Sequence, residues 1–132
     1  MNDVVKAVEE LVAAGKFAIG NDLVFIPDFK ASFEELFKNK VYTPSEIAYC
    51  EQFDDALLRY ASTWAAKEAV YKAVKQIDPA VLGPKNIEII REKIAGRPTA
   101  IVRQNPDSFK ISLTLSHDGD YAWAIALIDT HL

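Results

Sequence analysis

Apolar residues recur along this chain first at helical and then at strand spacing. Asp3 is followed by Val4, Val5, Val8, Leu11 and Val12, a helical repeat that stops at Gly15 and predicts a short amphipathic helix. A β-branched and aromatic run from Phe17 to Ile26 reads as a strand broken by Gly20, Asn21 and Asp22. Phe29, Phe33, Leu36 and Phe37 share one helical face, which predicts a second helix near 28–38. Thr43, Pro44, Ser45 and Glu46 spell a capping box that opens a third helix. The longest helical signal runs from about Asp54 to Gln76. Leu58, Ala61, Ala65, Ala69 and Ala73 form a small-residue stripe along it that admits close packing, and Pro79 closes it.

Strand-like runs follow near Asn86 to Arg91, Thr99 to Arg103, Phe109 to Leu115 and Tyr121 to Ile128, with turn residues at Gly96, Pro98, Asn105, Pro106 and Gly119. Helices first and strands later predict an α+β fold with a largely antiparallel sheet. At 132 residues, half of them apolar, the chain suits one domain with a modest core.

No apolar run reaches the twenty or so residues of a membrane helix, and acids stand near the amino terminus where a signal peptide needs bases. A soluble, cytoplasmic protein is expected. The lone Cys50 excludes an internal disulfide; it reads as a small core residue, with a nucleophilic pairing to His117 as the alternative. A formal charge of -4 argues against a general nucleic-acid binder. Residues 1–56 hold eleven acids and five bases, whereas 57–132 hold eight acids and ten bases. An anionic ligand would therefore dock on the second half, unless the skew is ordinary solvated surface.

Four local features carry candidate chemistry. Asp22 lies in an apolar strand-like segment, where an aspartate must face solvent, accept hydrogen bonds or bind a cation. In WAAKEAVYKA, Trp64, Glu68 and Lys72 recur every four residues and share a face, although Glu68 and Lys72 alone would make an ordinary helix ion pair worth about 0.2–0.5 kcal/mol. Ser116 and His117 end an apolar strand run just before an Asp-Gly turn, placing them at a sheet rim or simply in the turn. Gly96-Arg97-Pro98 is a turn that carries one base.

Together and in this order, the four features resemble the holo-acyl-carrier-protein synthases, a short, trimeric type within the 4'-phosphopantetheinyl transferase superfamily. IGNDLVFIPDF is similar to the family's opening Gly-x-Asp strand, VYTPSE to its Thr-x-x-Glu helix start, and WAAKEAVYKA to its most diagnostic stretch. NIEI, GRP and LTLSHDGDYAWA match its carboxy-terminal half, so the likeness spans about Phe17 to Ile128.

The resemblance implies a single transferase domain over 17–132, with an antiparallel sheet packed on a long helix and residues 1–16 as a helical extension. It implies transfer of 4'-phosphopantetheine from coenzyme A to a serine of an apo acyl carrier protein, or of a carrier domain in a fatty-acid or polyketide synthase, with release of adenosine 3',5'-bisphosphate. Asp22 and Glu68 would hold Mg²⁺, an ion that commonly takes one or two protein carboxylates plus substrate phosphates. Lys72 would reach the pyrophosphate to steady or protonate the leaving oxygen, and Glu68 or a metal-bound water would take the serine proton. Lys67, Gly96, Arg97, Pro98, Ser116 and His117 match positions lining the coenzyme A site. A homotrimer with active sites at its subunit interfaces is implied as well.

Three positions depart from the family pattern. Asn21 replaces an isoleucine, with its amide either near the metal or in solvent. Asp28 stands where many relatives carry an arginine that docks the acidic carrier helix, so an acidic partner would be repelled there. Relatives that open with Ile-Pro-Asp-Phe, as at Ile26–Phe29, serve carrier domains of large synthases. Thr63 replaces an arginine that contacts coenzyme A phosphate, with Arg59 one turn earlier as the possible substitute. The other readings are a metal-dependent hydrolase of a nucleotide or coenzyme A derivative, which would use the same two acids, and a non-catalytic trimeric binding protein.

Overall fold

The computed structural model describes residues 3–7, 17–91, 97–104, 106 and 108–130. Of the amino-terminal helix expected from Asp3, residues 3–7 are helical and exposed, and the rest of it lies outside the described residues.

Strand β1 (Phe17–Phe25) alternates exposed and buried positions along its length. Ala18, Gly20, Asp22 and Val24 face inward, while Phe17, Ile19, Asn21, Leu23 and Phe25 face outward. The expected interruption at Gly20–Asp22 does not occur: the three residues pair in register with Ala126, Ile125 and Ala124. β4 (Lys110–Asp118) and β5 (Tyr121–Asp129) form a hairpin around Gly119, whose φ of 56° suits a residue without a Cβ. With β1 they make an antiparallel sheet in the order β1-β5-β4.

The single helix expected over 28–38 is two. α1 (Ile26–Ser32) begins with a proline in its first turn, and α2 (Glu35–Val41) follows after an extended Phe33 and Glu34. The break turns the Phe33 ring against Tyr60, at 4.7 Å between centroids, while Phe37 meets Trp64 edge-on at 5.2 Å. Leu36, expected on the same apolar face, is instead exposed.

α3 (Pro44–Glu51) starts at the expected capping box: the Thr43 hydroxyl accepts from the Glu46 amide, and the Glu46 carboxylate accepts from the Thr43 amide at 2.8 Å. α4 (Ala56–Val74) crosses the inner face of the sheet, with Ala61, Ala65, Ala69 and Ala73 fully buried and Leu58 only partly so. Its end is tied by Lys75, which donates to the carbonyls of Pro79 and Ala80.

The remaining strands, β2 (Ile87–Ile90) and β3 (Thr99–Val102), do not extend that sheet but form a second, two-stranded antiparallel one. The Ile89 amide, which would serve a further strand, donates to Glu46 of α3 at 2.8 Å, so that edge of β2 is sealed by a side chain. The architecture is the expected α+β with a long helix on an antiparallel sheet, divided into two sheets. Among the described residues no helix is long and apolar enough to cross a membrane.

Candidate active site

Close approach of α4 to β1 builds the site. A Cβ on Gly20 would lie 1.9 Å from the Ala69 carbonyl oxygen and 2.8 Å from the Ala73 amide nitrogen, so only glycine opposite an alanine stripe lets the two backbones meet. Asp22 is two residues further along the same inner face of β1, and Glu68 and Lys72 flank the contact on α4. Sequence reading took Gly20 as a strand breaker; its function is this contact.

Lys72 does not pair with Glu68 along the helix. Its ammonium donates across to the Asp22 carboxylate at 2.9 Å and to the Asn21 carbonyl at 3.1 Å, fastening helix to strand. Glu68 and Asp22 line one cleft of about 530 Å³, together with Asp28 and the aromatic groups of Phe29, Phe37 and Trp64. Burial raises the pKa of Glu68, and the negative charge of Asp22 raises it further, while Lys72 opposes both. Two adjacent carboxylates that repel each other suit a divalent cation. Among the described residues no group of three or more His, Cys, Asp or Glu side chains is poised to hold a metal. An ion held by Asp22 and Glu68 would therefore complete its shell with water and substrate oxygens, as Mg²⁺ does.

The other expected residues are not gathered into this cleft. Ser116 and His117 are exposed near the end of β4 and line a separate cleft of about 410 Å³ with Leu23, Asp118, Tyr121 and Trp123. Arg97 is exposed and Pro98 partly buried just before β3, and Gly96 lies outside the described residues. Lys67, expected against coenzyme A, is almost wholly buried. Its three donors go to Glu46 at 2.7 Å and to the Pro84 and Ile87 carbonyls at 2.9 and 2.6 Å, leaving none for a phosphate. Within the chain, Asp22, Glu68 and Lys72 come together, and Ser116 and His117 line a different cleft.

A further cleft of about 120 Å³ lies on the other side of Glu68, lined by Lys67, Tyr71, Leu82, Pro84 and Ile87. Sequence reading did not find it, because Leu82 and Pro84 belong to a loop without periodicity. Nor did it find Glu46 as the partner of Lys67; the capping box identified that acid only as a local cap.

A sequence profile described as the 4'-phosphopantetheinyl transferase superfamily matches residues 18–126. This chain belongs to that superfamily. A holo-[acyl-carrier-protein] synthase of Chlorobaculum parvum is 35% identical over 113 residues, covering 83% of this chain and 96% of the relative. The fatty acid synthase alpha subunit hexA of Dothistroma septosporum is 34% identical over 110 residues, covering 83% of this chain and 33% of that protein. Among solved structures, an ACPS–CoA complex from Chronobacterium ammoniagenes superposes with a TM-score of 0.71 at 28% identity, covering 86% of this chain and 96% of the other.

Within the phosphopantetheinyl transferase fold, the three unusual positions fall in different places. The Asn21 side chain is on the outer face, where its oxygen accepts from the Trp123 indole at 3.5 Å, away from the inward-facing Asp22. Asp28 is exposed at the mouth of the carboxylate cleft. Thr63 is buried, its hydroxyl donating to the Arg59 carbonyl at 2.9 Å. Arg59, one turn earlier, pairs with Asp55 at 3.2 Å and stacks over Phe53. Cys50 is fully buried against Thr63, and burial pushes its thiol up to about 11, so it is a core residue and not a nucleophile.

Proposed function

We propose that this phosphopantetheinyl transferase moves the 4'-phosphopantetheine group of coenzyme A onto a serine of an apo acyl carrier protein or carrier domain, releasing adenosine 3',5'-bisphosphate. The observation that carries this reading is the cross-element constellation of Asp22, Glu68 and Lys72. A merely structural Glu68–Lys72 pair would lie along the helix, whereas Lys72 crosses to β1 and leaves Glu68 facing a cleft.

Asp22 and Glu68 would hold Mg²⁺, which when bound offsets the pyrophosphate charge and the charge developing at the β-phosphorus. Lys72, half exposed beside Asp22, would steady or protonate the leaving phosphate oxygen. Glu68 or a metal-bound water would accept the proton of the attacking serine.

An incomplete site in one protomer supports a homotrimer. The outer face of the β1-β5-β4 sheet exposes Ile19, Leu23, Phe25, Tyr121, Trp123 and Ile125, a contiguous apolar surface that a soluble monomer rarely presents. Burying that face between copies brings the Ser116 and His117 cleft of one protomer, with Arg97 and Pro98, towards the carboxylates of the next to bind the coenzyme A nucleotide. The native carrier belongs to cytoplasmic fatty-acid or polyketide synthesis, and the similarity to a fatty acid synthase subunit supports a carrier domain as one form of it. The transferase domain spans 17–132, and residues 1–16 precede it as an extension of which residues 3–7 are helical.

Asp22→Asn and Glu68→Gln test the reading. Each abolishes transfer to apo carrier while the protein remains folded and trimeric. Full activity in both variants would overturn the carboxylate assignment.

A further inference from the structure

A buried polar cluster lies beside Glu68 on α4. Glu46 and Lys67 form an ion pair at 2.7 Å with both side chains only 1% exposed. All three Lys67 donors and both Glu46 oxygens are engaged. Lys67 donates to Glu46, Pro84 and Ile87, and Glu46 accepts from Lys67 and from the amides of Thr43 and Ile89. One side chain of α4 is thereby fixed to α3, to β2 and to the short 3-10 turn Pro84–Asn86 that precedes it. Desolvating two such charges offsets most or all of their attraction, so a pair like this adds little to stability but can fix a geometry.

The alanine stripe of α4 shows why a fixed geometry is needed. Ala61, Ala65, Ala66, Ala69 and Ala73 are all fully buried. Short side chains of one size make a smooth surface with few ridges to set the rotation of a helix against its sheet. Lys67 is a long side chain that engages a specific socket on the far side, as Tyr60 and Trp64 engage the aromatic rings of Phe33 and Phe37 nearer the start of α4, and Glu68 follows Lys67 directly, about 100° around the axis. A rotation of about 20° would carry an atom roughly 5–6 Å from the axis through about 2 Å. Displacements of that size cost on the order of 100-fold in rate when they misalign reacting groups.

We propose that the Glu46–Lys67 pair is a positioning device that locks the rotation of α4 and so holds Glu68 opposite Asp22. The inference rests on the transferase reading of those two carboxylates. Neither Glu46 nor Lys67 touches substrate on this account, which separates it from a coenzyme A contact by Lys67.

Glu46→Gln removes the charge while keeping the shape, and Glu46→Asp keeps the charge while shortening the reach. Both are assayed at a temperature where circular dichroism shows the protein fully folded. Glu46→Gln lowers kcat on the order of 10- to 100-fold and Glu46→Asp lowers it less, with KM for coenzyme A within twofold of the parent. Mn²⁺ affinity in the presence of coenzyme A, followed by electron paramagnetic resonance, falls about tenfold in Glu46→Gln. If Glu46→Gln does not fold, the Glu46→Asp kinetics decide alone. Unchanged kcat and Mn²⁺ affinity in the folded variants, or a loss confined to KM for coenzyme A, would overturn the proposal. Asp22→Asn and Glu68→Gln run beside them: activity retained there sinks the transferase reading itself, and activity lost there but kept in the Glu46 variants sinks only the positioning role.

Discussion

Gly20→Ala puts the foundation of the site under direct strain. The added Cβ would fall 1.9 Å from the Ala69 carbonyl oxygen and 2.8 Å from the Ala73 nitrogen. Both are backbone atoms of a regular helix, so no rotamer change relieves the contact, and α4 must move off β1 by roughly 1 Å or more to restore an ordinary separation. Overpacking of this kind costs about 1–3 kcal/mol, sometimes more. The narrower unfolded ensemble of alanine returns about 0.4–1 kcal/mol. The net expectation is a loss of about 1–2 kcal/mol, or a fall in Tm of about 4–7 °C for a chain of this size. Activity responds more strongly, because the same displacement draws Lys72 from its 2.9 Å contact with Asp22 and separates Glu68 from Asp22. Transfer to an apo carrier should fall on the order of 100-fold at a temperature where the variant is folded. Scanning calorimetry and a transfer assay on one preparation give both values. A variant with parental Tm and parental kcat would refute the close-approach account of the site.

Three further outcomes follow from the same geometry. Lys72→Met lowers kcat by about 10²- to 10³-fold in steady-state kinetics, and parental kcat would remove Lys72 from the leaving-group role. Ile125→Asp, on the outer face of the sheet, yields protomers by sedimentation velocity and loses transfer with them; a fully active monomer would refute the shared site. Glu88 supplies a pH test: burial alone would raise its pKa, but hydrogen bonds from Arg103, Ser45 and Thr43 outweigh it and hold the carboxyl at about 2. A folded-state value below the ordinary 4.5 stabilises the protein above about pH 4.5, and that contribution is lost as the pH falls towards 2. Urea unfolding at pH 3 should show about 2 kcal/mol less stability from this group than at pH 6, and Arg103→Met should lessen that difference. Equal differences in the two proteins would contradict the assignment.

Local signals in the sequence were informative where the structure is local. The Thr43–Glu46 capping box, the alanine stripe of α4 and the Asp-Gly hairpin at Gly119 all form as their residues imply. Misreadings arose where a distant partner decides the conformation. Gly20 looks like a break within its own strand, yet the Ala69 carbonyl that requires it lies about fifty residues away. Phe33 fits a continuous helical face until Tyr42 and Tyr60 draw its ring out of register. β2 reads as another strand of one sheet, and only the Glu46 carboxylate at Ile89 shows why its edge is closed.

For the site, the motif order identified Asp22, Glu68 and Lys72, which the fold brings together. Lys67 stands beside Glu68 in the same motif, but helical geometry turns it into the socket formed by Glu46, Pro84 and Ile87. Spacing alone could not reveal that socket, since two of its three acceptors are backbone carbonyls, one in the Pro84 turn and one at the start of β2.

Intact mass spectrometry of an apo carrier protein tests the central claim most directly. The carrier is incubated with this protein, Mg²⁺ and coenzyme A, with Asp22→Asn and Glu68→Gln as parallel samples. The account predicts that the carrier gains the mass of one phosphopantetheine arm with the parent protein and none with either variant. No gain on any carrier, from single acyl carrier proteins to excised synthase carrier domains, would contradict it, and nucleotide release persisting without that gain would mark a hydrolase.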